Sequence, residues 1–314
     1  MKQTQSTIDL IGQIGALKLE YDRCEDPKER VALFEDLHVS ANALRELLTP
    51  IERVELARHP ERPNIEKIQK TLFKDFIALH GDRQFSDDPA IYAGIGTFQG
   101  RSCMLIGHHK GVDLKDRARR NFGMARPEGY RKALRLAKLA ERFRIPILLV
   151  IDTPGAHSDL ESEQRGQGMA IAKNIYEFSS IRTPMVALIT GEGSSGGALA
   201  IGVADRVLMM ENSVYSVISP ESCASILWRC SSKKAIAAEN LQPDAPFLLE
   251  HGMIHYVIEE PYGCAHLDPE TTLENMRQAL ELCFNELSRL SLEQLMEQRY
   301  TFFRKMGEVE DCSN

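Results

Sequence analysis

Residues 191 to 198 read Gly-Glu-Gly-Ser-Ser-Gly-Gly-Ala, and this short stretch fits three chemistries at once. As G-x-G-x-x-G it is Gly191, Gly193 and Gly196 with Glu211 twenty residues beyond Gly191, the outline of a dinucleotide fingerprint. As G-x-S-x-G it is Gly193, Ser195 and Gly197, a nucleophile elbow. A serine hydrolase would then recruit Asp205 or Asp244 and one of His251, His255 or His266. The third reading needs no side chain. Gly196 and Gly197 at the start of a helix leave backbone N–H groups unpaired and unobstructed, and these can face an oxygen on which negative charge develops. A tight strand-to-helix turn that binds nothing also fits. Local pattern does not choose among these readings.

The elements around the loop narrow the fold. Ile91 to Phe98 alternates in polarity, Gln99-Gly100 supplies turn chemistry, and Cys103 to His108 is a second short apolar run, so a hairpin is expected. Pro127 opens a helix with Tyr130, Ala133, Leu134, Ala137 and Phe143 on one face. Strands then alternate with helices: Ile147 to Ile151, a helix over Met169 to Phe178, Met185 to Thr190, Val207 to Met210 and Val214 to Ile218. Such alternation predicts an α/β fold with mostly parallel strands. The loops carrying Gly155-Ala156 and Gly196-Gly197 both follow strands, at the carboxyl ends where open α/β sheets bind ligands.

Residues 1 to about 58 read as charged helices, with apolar stripes at Ile8, Ile11, Ile14 and Leu17 to Leu19 and at Leu33, Leu37, Leu44 and Leu47/Leu48. Such an arm packs on a partner chain or on its own domain, and the pattern does not say which. The expected division is a helical extension over 1–60, a main domain over 61–268 and a helical tail over 269–314.

The chain has 314 residues, 43% of them hydrophobic, and a net charge of -7, which argues against a dedicated nucleic-acid binder. The N-terminus lacks a signal-peptide core, and no apolar stretch approaches the roughly 20 residues of a membrane span. Seven cysteines, Cys24, Cys103, Cys223, Cys230, Cys264, Cys283 and Cys312, form no CxxC and read as reduced structural thiols of a cytoplasmic protein. His108-His109 and His251/His255 have metal-like spacing but no evident third ligand, so no metal is expected in this chain. The basic run Lys115, Arg117, Arg119 and Arg120 reads either as a solvated loop or as an anion contact.

A longer comparison carries more weight. The segments Ala57 to Pro63, Arg120 to Met124, Pro127 to Leu136, Ile151 to Ala156, Gly196 to Gly202, Tyr215 to Glu221 and Cys223 to Trp228 resemble the α subunit of acetyl-coenzyme A carboxylase carboxyltransferase. They run in family order. The resemblance implies a crotonase-like fold, a spiral of ββα units. It implies transfer of CO2 from carboxybiotin on a biotin carboxyl carrier protein to acetyl-CoA, giving malonyl-CoA for fatty acid synthesis. It further implies an obligate β subunit, which carries the zinc finger, in an α2β2 heterotetramer that works with biotin carboxylase.

Carried onto this chain, the resemblance assigns Gly196 and Gly197, with Ala198 in reach, to the hole for the biotin ureido oxygen. Gly155 and Ala156 become the facing wall, supported by Arg165, Gly166 and Gln167. Lys115, Arg117, Arg119 and Arg120 become contacts for CoA phosphates or the carrier. Four features depart from the family pattern: Ser194 and Ser222 where glycine is usual, Cys264 in a segment that usually reads G-G-A-H, and His157-Ser158-Asp159 after the Gly155-Ala156 turn. If any replaced glycine needed φ > 0, the chain would be a specialised or non-catalytic relative that assembles with carboxylase subunits.

Overall fold

The structure, a computed structural model, describes residues 2–308. Cys312 and the end of the expected tail lie outside them. The chain opens with three helices, α1 (Lys2–Arg23), α2 (Pro27–Leu47) and α3 (Pro50–Ala57), followed by α4 (Ile65–Leu72). Proline at the first turn and a side-chain oxygen at the cap start two of them. Asp26 accepts from the amides of Lys28 and Glu29, and Thr49 forms a capping box with Glu52.

β1 (Lys74–Ala78), β2 (Ile91–Phe98) and β3 (Arg101–His108) form an antiparallel meander. The β2–β3 turn is the expected one, with Gln99 and Gly100 both at positive φ. α5 (Leu114–Arg119) and α6 (Pro127–Phe143) lead to β4 (Ile147–Thr153), and α7 (Leu160–Gln164) and α8 (Gln167–Ser179) lead to β5 (Met185–Ser194). Then come α9 (Ser195–Leu199), β6 (Arg206–Met210), β7 (Val214–Ser216), α10 (Pro220–Trp228), α11 (Lys234–Leu241), α12 (Ala245–Glu250), β8 (Tyr256–Ile258), α13 (Pro269–Leu287) and α14 (Leu292–Lys305). The sheet order is β1-β2-β3-β4-β5-β6-β8, parallel from β3 onward. β5 is longer than its apolar run: Met185 to Ile189 pair with β4, whereas Glu192 to Ser194 pair with β7. The glycine segment therefore begins as strand, because a second strand arrives to satisfy its backbone.

Both faces of the parallel strands are covered, so β4 and β5 are buried throughout apart from half-buried Asp152. Tyr130, Ala133 and Ala137 of α6 are buried against one face, while Phe143 turns outward and is exposed, unlike its expected place in the stripe. On the other face lie α4 and α13, with Ile68, Leu280 and Phe284 buried.

The N-terminal arm packs on its own chain. Ile14, Leu37, Leu44 and Leu48 bury against Leu56 and Cys264, whereas Ile8 and Leu19 remain exposed. Arginines fasten the arm and its connector. Arg45 Nε donates to Glu211 at 2.6 Å, and the buried Arg62 is fork-bonded to the fully buried Glu260 at 2.6 and 3.0 Å. Burial alone would raise the Glu260 pKa, but Arg62 and the amides of Asn212 and Ala265 outweigh it and hold the carboxyl below its ordinary value. The six described cysteines are free thiols, and no described helix is long and apolar enough to cross a membrane.

Two predictions follow from the buried charges. Arg299 on α14 is 2% exposed and donates to both oxygens of Asp205 at 2.8 and 2.9 Å, and to the carbonyls of Phe178 and Ile181. Arg299→Ala leaves Asp205 buried without its counter-ion, so chemical denaturation should show a loss of about 3–5 kcal/mol. His108 is 1% exposed, and its ring nitrogens make no well-formed hydrogen bond, only weak contacts with the backbone of Gly197 and Val150. Burial, with Lys110 nearby, pushes its pKa down to about 3. The unfolded chain therefore binds this proton first. The imidazole's contribution is complete above pH ~6.5 and is lost as pH falls toward the folded value, at up to about 1.4 kcal/mol per unit. Stability measured at pH 7 and pH 5 should drop, and His108→Asn should show a flatter dependence.

Candidate functional site

Two turns at the carboxyl ends of β4 and β5 meet. Thr153 builds the first: its Oγ1 accepts from the Gly155 amide at 3.1 Å and donates to the Gly155 carbonyl at 2.6 Å. Gly155 sits at φ +150°, open to glycine and strained for other residues. In the second turn Ser195 adopts φ +56° and swings the chain from β5 into α9. Ser194 stands at the N-cap, extended, and its side chain caps nothing. Gly196 and Gly197 then occupy the second and third helical positions, whose amides have no partner inside a helix, while Ala198 is the first that can bond back to the N-cap carbonyl. The helix thus begins with donors that no side chain caps, where a capping serine would normally consume one.

Gly197 is glycine for a reason of packing. A Cβ there would lie 2.5 Å from the Ala156 amide nitrogen and 2.9 Å from the Gly155 carbonyl oxygen. Any side chain would therefore drive α9 off the Gly155-Ala156 turn, before it ever met a ligand. A Cβ at Gly196 would meet only the Ile171 side chain, at 3.3 Å.

Arg165, Gly166 and Gln167 lie behind the Gly155-Ala156 turn. Gln167 Nε2 donates to the carbonyls of Ala125 and His157, both at 2.8 Å, and His157 N donates to Ala125 O at 3.0 Å. Gly166 caps α8 at φ +82°, and Arg165 reaches both oxygens of Glu128 at 3.2 and 3.1 Å. Arg165-Gly166-Gln167 is both a helix start and a brace.

Beneath the turns runs a charged network that sequence reasoning did not single out. Lys110 Nζ lies 2.7 Å from Asp152 and donates to Glu192 at 2.8 Å; Arg58 Nε donates to Glu192 at 2.6 Å and Arg58 Nη1 to Glu221 at 2.7 Å. Burial raises the Glu192 pKa, but Lys110 and Arg58 outweigh it and hold the carboxylate below its usual range. Burial likewise lowers Lys110, and Asp152 and Glu192 more than restore it. The available signals were Arg58, Asp152 and Glu221, which lie inside the Ala57 to Pro63, Ile151 to Ala156 and Tyr215 to Glu221 segments. This network borders a cavity of about 240 Å3 that also takes in Arg117, Phe122 and Pro154.

The basic run is divided. Arg119 and Arg120 both donate to Asp116, and Arg120 also to the Pro89 carbonyl. Lys115 is exposed, and Arg117 lines the cavity with a buried Nε that has no partner. Of the four, Arg117 alone is among the residues that line this cavity.

The other readings of the loop are not assembled. Ser195 Oγ has no hydrogen-bond partner among the described residues. Asp205 is bound to Arg299, and Asp244 caps α12. His255 Nδ1 accepts from Val207 N, His266 stacks on His59, and His251 on Phe247. Gly191 is packed against Asp152 and Ala57, and Glu211 is held by Arg45, so the dinucleotide outline has neither its open turn nor a free acid. His109 lies 3.2 Å from Glu66 and accepts from Gly111 N. Among the described residues no three His, Cys, Asp or Glu side chains gather as a metal-binding group.

The departures from the family pattern cost no backbone strain. Ser194 has φ -115° and Cys264 φ -150°, Ser222 lies within α10, and none of these, nor His157, Ser158 or Asp159, is at positive φ. Serine and cysteine adopt such conformations freely, which removes the physical ground for reading the chain as an impaired relative.

Comparison with known proteins agrees with this geometry. The family model described as acetyl co-enzyme A carboxylase carboxyltransferase-like matches residues 4–307. The acetyl-coenzyme A carboxylase carboxyl transferase subunit alpha of Fusobacterium nucleatum is 49% identical over 283 residues, 90% of each chain. That of Geobacter metallireducens is 47% identical over 98% of this chain and 93% of its own. That of Thermus thermophilus is 50% identical over 83% of this chain and 84% of its own. Among solved structures, transcarboxylase 12S superposes with a TM-score of 0.57 at 17% identity, over 74% of this chain and 44% of its own. The malonate decarboxylase hetero-tetramer of Pseudomonas gives 0.54 at 14% identity, over 67% and 84%. The structural likenesses establish the crotonase-like fold alone. With the sequence matches spanning nearly the whole chain, they place it as a member of the acetyl-coenzyme A carboxylase carboxyltransferase family, on the α-subunit side, a biotin-dependent transferase.

Proposed function

We propose that Gly196 and Gly197 form the oxyanion hole for the ureido oxygen of carboxybiotin, in a cleft completed by a β subunit. One observation carries the reading: the first turn of α9 offers backbone donors, its N-cap serine withholds its side chain, and Gly197 is pressed on the Gly155-Ala156 turn with no room for a Cβ. A cofactor oxygen needs this cradle because rigid amides aimed in advance stabilise developing charge without reorganising. The amide of Ala198, next in the same turn, is in reach of the same oxygen.

Carboxybiotin, when bound, supplies the CO2 that acetyl-CoA receives. The residues of this chain hold and orient. Gly155 and Ala156 form the second wall, and Gln167, Gly166 and Arg165 keep that wall in register with α9. Lys110, Asp152, Glu192 and Arg58 fix the strand ends beneath it. Arg117, with its unpaired guanidinium nitrogen on the adjoining cavity, is the residue of the basic run assigned to a CoA phosphate or to the carrier. No side-chain nucleophile or base is asked of this chain. Its partners in this reading are the β subunit with its zinc finger, the biotin carboxyl carrier protein and biotin carboxylase, in an α2β2 core in the cytoplasm.

The test is an exchange assay between malonyl-CoA and biocytin after co-expression with a cognate β subunit. Exchange should appear only with both chains present. Gly197→Val should reduce turnover by at least about 10²–10³ while the complex still forms, because it displaces a donor worth roughly 3–4 kcal/mol. Near-normal turnover in that variant would overturn the assignment. Ser195→Ala should stay near normal, and the wild-type chain should resist labelling by a fluorophosphonate. Loss of activity with labelling at Ser195 would restore the hydrolase reading.

A further inference from the structure

Away from these turns, on the outer side of α6 and α8, lies a groove of about 490 Å3. It is lined by Arg83, Arg131, Arg135, Arg165 and Lys173, with Asp82 its only lining carboxylate. Two of these cations are spoken for. Arg131 Nε donates to Asp82 at 2.7 Å, and Arg165 is bound to Glu128. The other three are not matched by any carboxylate within ion-pair distance among the described residues. Lys173 is exposed and makes no hydrogen bond or ion pair with them.

Arg83 and Arg135 form the unusual feature. Their guanidinium groups converge on one neutral acceptor, the His80 carbonyl, each at 3.1 Å, and Arg135 Nε donates to the next carbonyl, Gly81, at 3.0 Å. Burial first, and then the neighbouring Arg83, push the Arg135 pKa below its ordinary value against the opposing pull of Asp82 and Asp87. The chain turns sharply to do this, with Gly81 and Arg83 both at positive φ. On the floor, Asn174 is 1% exposed; its Nδ2 donates to the Tyr130 carbonyl at 2.9 Å and its Oδ1 has no partner.

Paired guanidinium forks with a nearby ammonium match the charge and geometry of a phosphate dianion better than those of a monocarboxylate. An orphaned buried oxygen asks in addition for a ligand that brings a hydrogen-bond donor. We propose that this groove binds a phosphate monoester bearing hydroxyl groups, with Arg83, Arg135 and Lys173 around the phosphate and Asn174 Oδ1 accepting from a ligand hydroxyl. The site belongs to this chain alone and stands without the carboxyltransferase assignment.

Calorimetric titration of the full chain at constant ionic strength, with ribose 5-phosphate and with inorganic phosphate as probes, tests it. The sugar phosphate should bind saturably at one site, and inorganic phosphate about tenfold more weakly, since it lacks the ligand hydroxyls for Asn174. Arg83→Gln with Arg135→Gln should weaken the sugar phosphate by at least about tenfold. Lys173→Ala, outside every hydrogen bond of the fold, should weaken it severalfold with an unchanged melting temperature, and decides the matter if the double variant fails to fold. Absence of saturable binding by either probe, or a Lys173→Ala chain that binds as wild type, overturns the proposal. Equal affinity for the two probes overturns the ester and leaves a simple anion.

Discussion

The close approach of Gly197 to the Gly155–Ala156 peptide is the constraint on which the site depends. Two backbones at this distance admit no side chain between them, so strand ends from separate crossovers must arrive in fixed register. The sheet supplies that register. β4 and β5 pair residue for residue from Ile147↔Met185 to Ile151↔Ile189, then resume at Thr153↔Gly193 after an irregularity. The irregularity leaves Asp152 free to accept from Glu192 N at 3.0 Å and to meet Lys110, so it serves the charged network as well as the turn. Elements remote in sequence share this one task. Gln167 braces the wall from α8, Arg58 reaches in from the end of the arm, and β7 closes the last residues of β5.

Much of this was legible in the chain itself. Alternation at Ile91 to Phe98, the Gln99-Gly100 turn and the apolar runs at Ile147 and Met185 are local signals, and each became the expected element. The glycine segment announced unhindered amides but not their company. Gly197 is explained by a contact with residue 155, and no short-range pattern records a partner forty residues away. β5 ran past Thr190 for the same reason: Glu192 and Ser194 look like loop residues until β7 lies beside them. The arm's apolar stripes were visible, but docking on Cys264 depends on tertiary shape. Long-range ion pairs such as Arg299 with Asp205 were invisible, since a charge in a sequence does not carry the address of its counter-ion.

The replaced glycines illustrate the complementary lesson. Family pattern alone made Ser194, Ser222 and Cys264 look like damage. Dihedral angles recast them as neutral, because a glycine in an extended or helical position can give way to a small side chain wherever the space allows. Ser194 behaves as the glycine would in one respect: it is buried and its side chain leaves the helix start uncapped, so the donors of Gly196 and Gly197 stay available.

The arm is not an ornament on a finished domain. Arg45 binds Glu211 and Glu259 from α2, and Arg58 binds Glu192 and Glu221 from just beyond α3. A shortened chain starting at residue 61 would expose the apolar seat of Leu37 and Leu44 and leave Glu211 and Glu221 without their guanidinium partners. It would also deprive Glu192, beside the two turns, of one of its two cations. The leading helices thus act as a counter-charge delivered from outside the sheet, and the length of polypeptide that can be dispensed with is far shorter than the helical boundary suggests.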